Sequence, residues 1–224
     1  MVFMHPERLK LDMHVHSHFS KDAMTSVETI YRTFIKSGVM SIVCDHDSIE
    51  GSKRLSLLMK ERHVDVPCPL AEEIATADGE IMGVFLTEGV PAGLSADETL
   101  DIIGAQGALA LVPHPFDTYR SKVLRRDVLE RVVSRIHIIE GYNARNVKRV
   151  HNEQAVEFAR QHGKPISAGS DAHTPFELAR TYVELEPFET PKELLEHLPE
   201  ADVVFKRTSS AIHLISALVK TVRR

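Results

Sequence analysis

LDMHVHSHFSKD, residues 11–22, places three histidines at alternate positions and closes on an aspartate. Alternate residues of a strand share a face, so a strand over 10–15 would carry Asp12 and His14 on one side. His16 then follows at its end and His18 in the loop beyond. Alternating imidazoles on one edge form a ready nitrogen site for a metal ion. A run of solvent-facing polar residues would look the same locally, so the rest of the chain has to decide between the two.

Outward from this segment, short apolar runs alternate with amphipathic ones. Strand patterns fall at VMSIVC (39–44), VPCPLAEEI (66–74), EIMGVFL (80–86), ALALV (108–112), IHIIEGY (136–142), PISAG (165–169) and RTYVELE (180–186), with helical patterns between most of them. Thr25 with Glu28, Ser95 with Glu98, and Thr190-Pro191 with Glu193 have capping-box spacing at helix starts. Gly38, Gly107 and Gly163 stand where helices should stop. Asp78-Gly79 marks a hairpin, the one clear break in a β–α rhythm. No linker or repeat interrupts the chain. The expectation is therefore one α/β domain over 1–224, closed by an amphipathic C-terminal helix in SSAIHLISALVKTVRR (209–224).

Composition narrows the function classes. A chain of 224 residues, 43% of them apolar, has room for one α/β barrel and a sizeable core. The net charge of -5 weighs against a dominating basic face, so nucleic acid is not the expected partner. Cys44 and Cys68 both sit in apolar, strand-like runs and read as reduced core thiols. No signal peptide or membrane-length apolar run is evident, and a cytoplasmic protein without a membrane partner is expected. Nothing in the sequence fixes an oligomeric state. The 13 histidines are what stands out.

On an α/β frame, chemistry gathers at the C-terminal ends of strands. Here those ends carry His14 and His16, then Asp45-His46-Asp47, Glu72-Glu73, Pro113-His114-Pro115, Asn143 with Arg145, and Ser170-Asp171-Ala172-His173. Singly, each has an ordinary reading: His46 or Asp171 as a helix cap, His114 as a loop residue between prolines. Together they place ligand-type side chains on one rim. Imidazole with carboxylate and no thiolate suits Zn, Mn or Fe. The ligands outnumber what one tetrahedral ion needs, so two or three divalent ions are expected.

The ordered set HVH (14–16), Asp22, DHD (45–47), AEEI (71–74), PHP (113–115) and SDAH (170–173) resembles the polymerase-and-histidinol-phosphatase (PHP) family over roughly residues 10–186. The resemblance implies a distorted seven-stranded (β/α)7 TIM-like barrel holding a two- or three-metal cluster that hydrolyses phosphate esters with metal-activated water. By the same resemblance His14, His16 and Asp171 hold one ion, Glu73 bridges two, and His114 serves the second. Asp22, His46 and His173 serve a third. One position departs from the pattern: where fully trinuclear members carry a histidine, in a segment like EIHIVGL, this chain reads EIMGVFL and offers Met82. A thioether is a poor ligand for such ions. The second site is then weaker, or a carboxylate such as Glu80, or a water, fills the gap.

Glu73, His173 and His18 are the catalytic candidates, with His173 or His18 as proton donor. His18, an extra histidine, is expected to contact substrate or support the ligands. Arg145 and Asn143 are candidates for gripping a phosphate, with Arg120 and Lys122 behind them; a surface arginine starting a helix is the plain alternative for Arg145. The remaining histidines (His5, His63, His137, His151, His162, His197 and His213) need only surface or core roles. The leading expectation is a phosphoesterase acting on a small phosphorylated metabolite or nucleotide. A nuclease working on nucleic-acid ends, a non-catalytic metal-binding regulatory module and an amidohydrolase are the alternatives.

Overall fold

The start of the histidine-rich segment forms strand β1, Leu9–Val15, in a computed structural model that describes residues 7–209. Apart from Lys10 it is buried on both faces, as a central strand must be. Leu9, Leu11, Met13 and Val15 enter the apolar core, while Asp12 and His14 share the other face. The following strands are β2 (Val39–Val43), β3 (Ala71–Thr76), β4 (Gly79–Val84), β5 (Leu109–Val112), β6 (Ile138–Asn143), β7 (Ile166–Gly169), β8 (Tyr182–Leu185) and β9 (Asp202–Val204). Helices α1 (Val27–Ser37), α2 (Glu50–Glu61), α3 (Ala96–Ala105), α4 (Arg126–Val132), α5 (Arg149–Gln161) and α6 (Pro191–His197) lie between them.

The fold is mixed α/β. Among the described residues the strands form one sheet in the order β2-β1-β8-β9 and a second in the order β3-β4-β5-β6-β7. Strands β5, β6 and β7 run parallel, as do β1 and β2, whereas β4 is antiparallel to both of its neighbours and β8 to both of its own. The expected barrel does not appear as one continuous ladder. The sheets approach each other at two seams, each a single parallel bridge: Val15 with Ala172, and His46 with Glu73. At the first, His16 N donates to the Ala172 carbonyl at 2.9 Å and Asp171 N to that of His14 at 2.7 Å. At the second, Asp47 N donates to the Glu73 carbonyl at 3.0 Å. Val15 and His46 stand at or just beyond the C-termini of β1 and β2, and both seams lie among the ligand-type residues.

Several local expectations shift. The N-cap of α1 is Ser26, whose hydroxyl accepts from Thr29 N, and not Thr25, whose buried hydroxyl has no hydrogen-bond partner. The capping boxes at Ser95 and Thr190 form as the spacing predicts. Strand β3 begins at Ala71 and not at 66, because Pro67 and Pro69 have no N–H to give a ladder. Cys68 therefore lies in the preceding connection; Cys44 is buried, and both thiols are free. Strand β9 was not anticipated. The C-terminal helix expected over 209–224, with His5 and His213, falls outside the described residues, apart from Ser209. Among the described residues no helix is long and apolar enough to cross a membrane.

Candidate metal centre

Four ligand-type atoms converge at the first seam. His14 Nε2 and His16 Nε2 lie 3.1 Å apart. Glu73 Oε2 is 3.6 and 3.4 Å from them, and Asp171 Oδ1 is 3.7 and 3.4 Å away. Ligands at 2.0–2.2 Å around a tetrahedral ion stand roughly 3.3–3.6 Å from one another, so these separations match one ion's shell. All four residues are buried, yet Glu73 Oε2 and Asp171 Oδ1 accept no hydrogen bond. Buried carboxylate oxygens left in that state are costly unless a cation satisfies them. The donor set therefore fits a divalent metal.

The inner ligands are held from behind. His14 Nδ1 is 3.0 Å from Glu140 Oε1, and Glu140 Oε2 accepts from His114 N at 2.6 Å and Asn143 Nδ2 at 2.9 Å. His16 Nδ1 faces Ser20 Oγ at 3.2 Å. Asp45 gathers the loop after β1, accepting from Ser17 N at 2.7 Å, Ser17 Oγ at 2.6 Å and Ser20 Oγ at 2.7 Å. Arg120 hydrogen-bonds Asp171 Oδ2 and, at 3.2 Å, Asp117. Such supports fix ring orientation and ligand basicity. Backbone close approach is part of the design: a Cβ at Gly169 would stand 2.4 Å from His14 Cβ, and one at Gly51 1.9 Å from Asp45 Oδ2. His114 and Asp171 also hold positive φ angles of 32° and 52°, strain of the kind that collects at functional sites.

A second set faces outward. His46 Nε2 is 3.7 Å and His173 Nε2 3.6 Å from Asp22 Oδ1. His173 Nδ1 lies 2.8 Å from the Asp171 carbonyl, which assigns the proton to that nitrogen and leaves Nε2 as an electron-pair donor. Glu73 touches both sides, with Oε1 3.1 Å from His114 Nε2 and Oε2 3.0 Å from His46 Nδ1. Met82, in the apolar core, is fully buried. Beside these groups a cavity of about 500 Å³ is lined by Phe19, Lys21, Asp22, His46, Glu80 and Lys122, among others.

The electrostatics suit ligation. Burial alone would raise Glu73 and Asp171. Charge on His14 and His46 for the first, and on Arg120 and His14 for the second, holds both well below the usual carboxylate range. Burial lowers His16 and His173, and neighbouring positive charge lowers them further. Ionised carboxylate and neutral imidazole are the binding forms. His14 and His46 go the other way: against burial, neighbouring acidic groups hold His14 well above the usual imidazole range and Glu73 pushes His46 up to about 9, so a metal ion must displace a proton from each.

His14, His16, Asp22, His46, Glu73, His114, Asp171 and His173 thus gather in one place. The expected substrate residues fare differently. Asn143 is fully buried, its amide engaged by Glu140, by Asp171 at 3.1 Å and by Arg145 N at 2.9 Å. Arg145 is 8% exposed, with Nη1 3.5 Å from Glu177. His18 stands exposed on the rim, its ring 4.6 Å from that of Phe19. Sequence reading passed over Glu140 and Asp45 as supports. A glutamate inside the apolar run IHIIEGY was the available signal for the first, since a buried charge needs a partner.

Residues 149–203 match the family model PHP_C, described as PHP-associated. The chain is 32% identical over 215 residues to the uncharacterized protein MJ0417 of Methanocaldococcus jannaschii, covering 91% of this chain and 85% of that one. Two solved structures share the fold. One is a Bacteroides vulgatus two-domain protein described as containing a predicted PHP-like metal-dependent phosphoesterase (TM-score 0.70, 17% identity, 88% of this chain, 65% of that chain). The other is the lesion-specific endonuclease PfuEndoQ of Pyrococcus furiosus (TM-score 0.63, 18% identity, 88% of this chain, 57% of that chain). This chain thus spans less than two thirds of either structure. Taken with the ordered motifs, these likenesses identify the chain as a member of the PHP family.

Proposed function

We propose that the protein is a metal-dependent phosphoesterase hydrolysing a small phosphate ester, a phosphorylated metabolite or a nucleotide. The observation that carries this is the sharing of Glu73 between the buried four-ligand set and the outward set beside the cavity. In this reading β1 to β7 form a distorted barrel whose two seams are the single bridges. His14, His16, Glu73 and Asp171 hold one ion, Glu73 and His114 a second, and Asp22, His46 and His173 a third, drawn from Zn, Mn or Fe. Bound there, divalent ions would supply Lewis acidity, making water nucleophilic near neutral pH and offsetting charge on phosphoryl oxygens.

The chain supplies the rest. The cavity admits the ester over Asp22 and His46, and its volume falls within the usual range for small-molecule sites. Arg145, buried but close enough to depress His173, adds positive charge behind the outward set. Of the two proton-donor candidates, the exposed His18 is the one free to serve the leaving oxygen, because the His173 proton sits on Nδ1 and its Nε2 is a ligand atom. No side chain in the cluster has the setting of an activated nucleophile. Ser17 and Ser20 donate to Asp45, and burial holds the Cys44 thiol well above its ordinary pKa.

The test is hydrolysis by Mn-loaded protein of phosphate monoesters, cyclic diesters and short oligonucleotides. Turnover of a small ester that stops on chelation supports the reading. Preference for oligonucleotides would move the protein to the nuclease alternative, and metal uptake without any turnover to a regulatory one.

A further inference from the structure

We propose that Glu80 is a metal ligand placed between the second and third positions, and that it biases those positions toward an oxygen-preferring ion such as Mn over Zn. The inference rests on the reading of this cluster as a metal centre. Glu80 lies on β4, where the antiparallel register sets Glu80 opposite Ala75 and Met82 opposite Glu73. Positions two apart share a face, so Glu80, Met82 and Glu73 point to the same interior. Met82 is absorbed by the apolar core, and the carboxylate two residues earlier reaches the site.

The reach is specific. Glu80 Oε1 is 3.8 Å from His46 Nδ1 and Oε2 is 3.9 Å from His114 Nε2. Glu73 faces the same two nitrogens, His46 Nδ1 with Oε2 at 3.0 Å and His114 Nε2 with Oε1 at 3.1 Å. Two buried carboxylates therefore bracket one pair of imidazoles. The Glu80 separations are too long for hydrogen bonds. They are a few tenths of an ångström longer than the roughly 3.3–3.6 Å between two ligands on one tetrahedral ion, a gap that a small side-chain movement closes. His46, Glu73 and Glu80 can each offer an atom within 4.8 Å of the others. The fully buried Glu73 turns Oε2 into this space, and its nearest contact, His46 Nδ1 at 3.0 Å, is not aligned as a hydrogen bond.

A structural carboxylate would need a better partner than it has. The cations beside Glu80 are Lys122, 3.7 Å away and 55% exposed, a pair that solvent screens, and His46, 3.8 Å away and already held closer by Glu73. Holding two carboxylates together inside a protein is unfavourable unless a cation lies between them. A carboxylate in place of a neutral donor adds one hard, anionic oxygen, which favours Mn over softer-ligand ions.

Full-length protein would be stripped and reloaded with Mn or Zn. Elemental analysis after gel filtration and Mn electron paramagnetic resonance then report the metal without relying on activity. Glu80→Gln should weaken Mn retention at one position by about tenfold or more, with Zn less affected. Glu80→His should restore Zn and not Mn, and Lys122→Met should keep the full Mn complement. Glu80→Asp, which keeps the charge but shortens the reach, covers the case in which Glu80→Gln does not fold; it should change the Mn spectrum. Wild-type uptake of two or more ions with both Glu80→Gln and Glu80→Asp unchanged would overturn the role of Glu80 alone. The same Mn loss in Lys122→Met as in Glu80→Gln would reduce Glu80 to an ion-pair partner. Wild-type protein that takes up no ion would overturn the centre itself and this ligand with it.

Discussion

His14, His16, Glu73 and Asp171 sit behind the strand ends with almost no solvent access, and both imidazoles and Asp171 are fixed by further groups (Glu140, Ser20 and Arg120). Asp22 and His46 stand at the edge of the cavity, and the His46 side chain is 23% exposed. The inner set is arranged before any ion arrives, so its metal should bind tightly and leave slowly. The outer set is closed on one side by protein and on the other by solvent or substrate. It is the place where an ion and a phosphate would be exchanged.

The largest effect should come from breaking both halves at once. Glu73→Ala leaves the inner and outer groups without their shared carboxylate, so turnover should vanish and the metal count should fall. Near-normal activity would end the assignment of a shared ligand. His46→Ala should be more selective, removing about one equivalent of metal while the inner ion stays. Loss of all metal in that variant would erase the distinction between tight and exchangeable sets. Glu140→Ala removes no ligand, yet the His14 ring loses its anchor; inner metal affinity should drop about 10–100-fold with the fold retained by circular dichroism.

A smaller effect follows from protonation. In metal-free protein the His46–Glu73 pair is strongest with the imidazole charged. Its folded pKa of about 9 is above the unfolded value near 6.5. The stabilisation is then full below about pH 6.5 and disappears as pH rises through about 9. Thermal midpoints measured across that window should decline, and His46→Gln should make the decline shallower, the remainder coming from the raised His14. The least effect is at the helix that follows the ligand loop. Ser26→Ala should cost about 1 kcal/mol in denaturant unfolding and leave metal content alone.

Much of the centre was legible because metal ligation demands few residue types at strand ends. His14, His16, His46, His114 and Asp171 could be picked out from motif and strand position alone. What escaped depends on side-chain reach. Glu80 could be named as one way to fill the gap at Met82, but the two share a face and only packing decides which enters the apolar core. Asn143 looked like a substrate contact, but its amide is occupied by buried carboxylates that sequence could not place beside it. The barrel was implied by the family resemblance; β–α alternation, a local signal, was only compatible with it. Whether neighbouring strands keep their ladder depends on twist and bulges, and the two seams with the antiparallel β4 and β8 are outcomes of that kind. The shift of a cap from Thr25 to Ser26 reflects two adjacent hydroxyls that only backbone geometry distinguishes.

The seam between β1 and β7 also bears on how the molecule is made. Asp12 accepts from Ser170 N across 158 positions of sequence, next to the bridge that joins Val15 to Ala172. During synthesis the earliest ligands, His14 and His16, must wait on the ribosome until Asp171 has emerged, because half a ligand shell holds an ion poorly. Until then the edge of β1 that later bridges to Ala172 and pairs with β8 is open to pairing with other chains. Closing so long a loop also slows folding. A chain stopped before β7 would carry histidines without their carboxylate and an uncovered strand edge, and such fragments should aggregate where the complete chain does not.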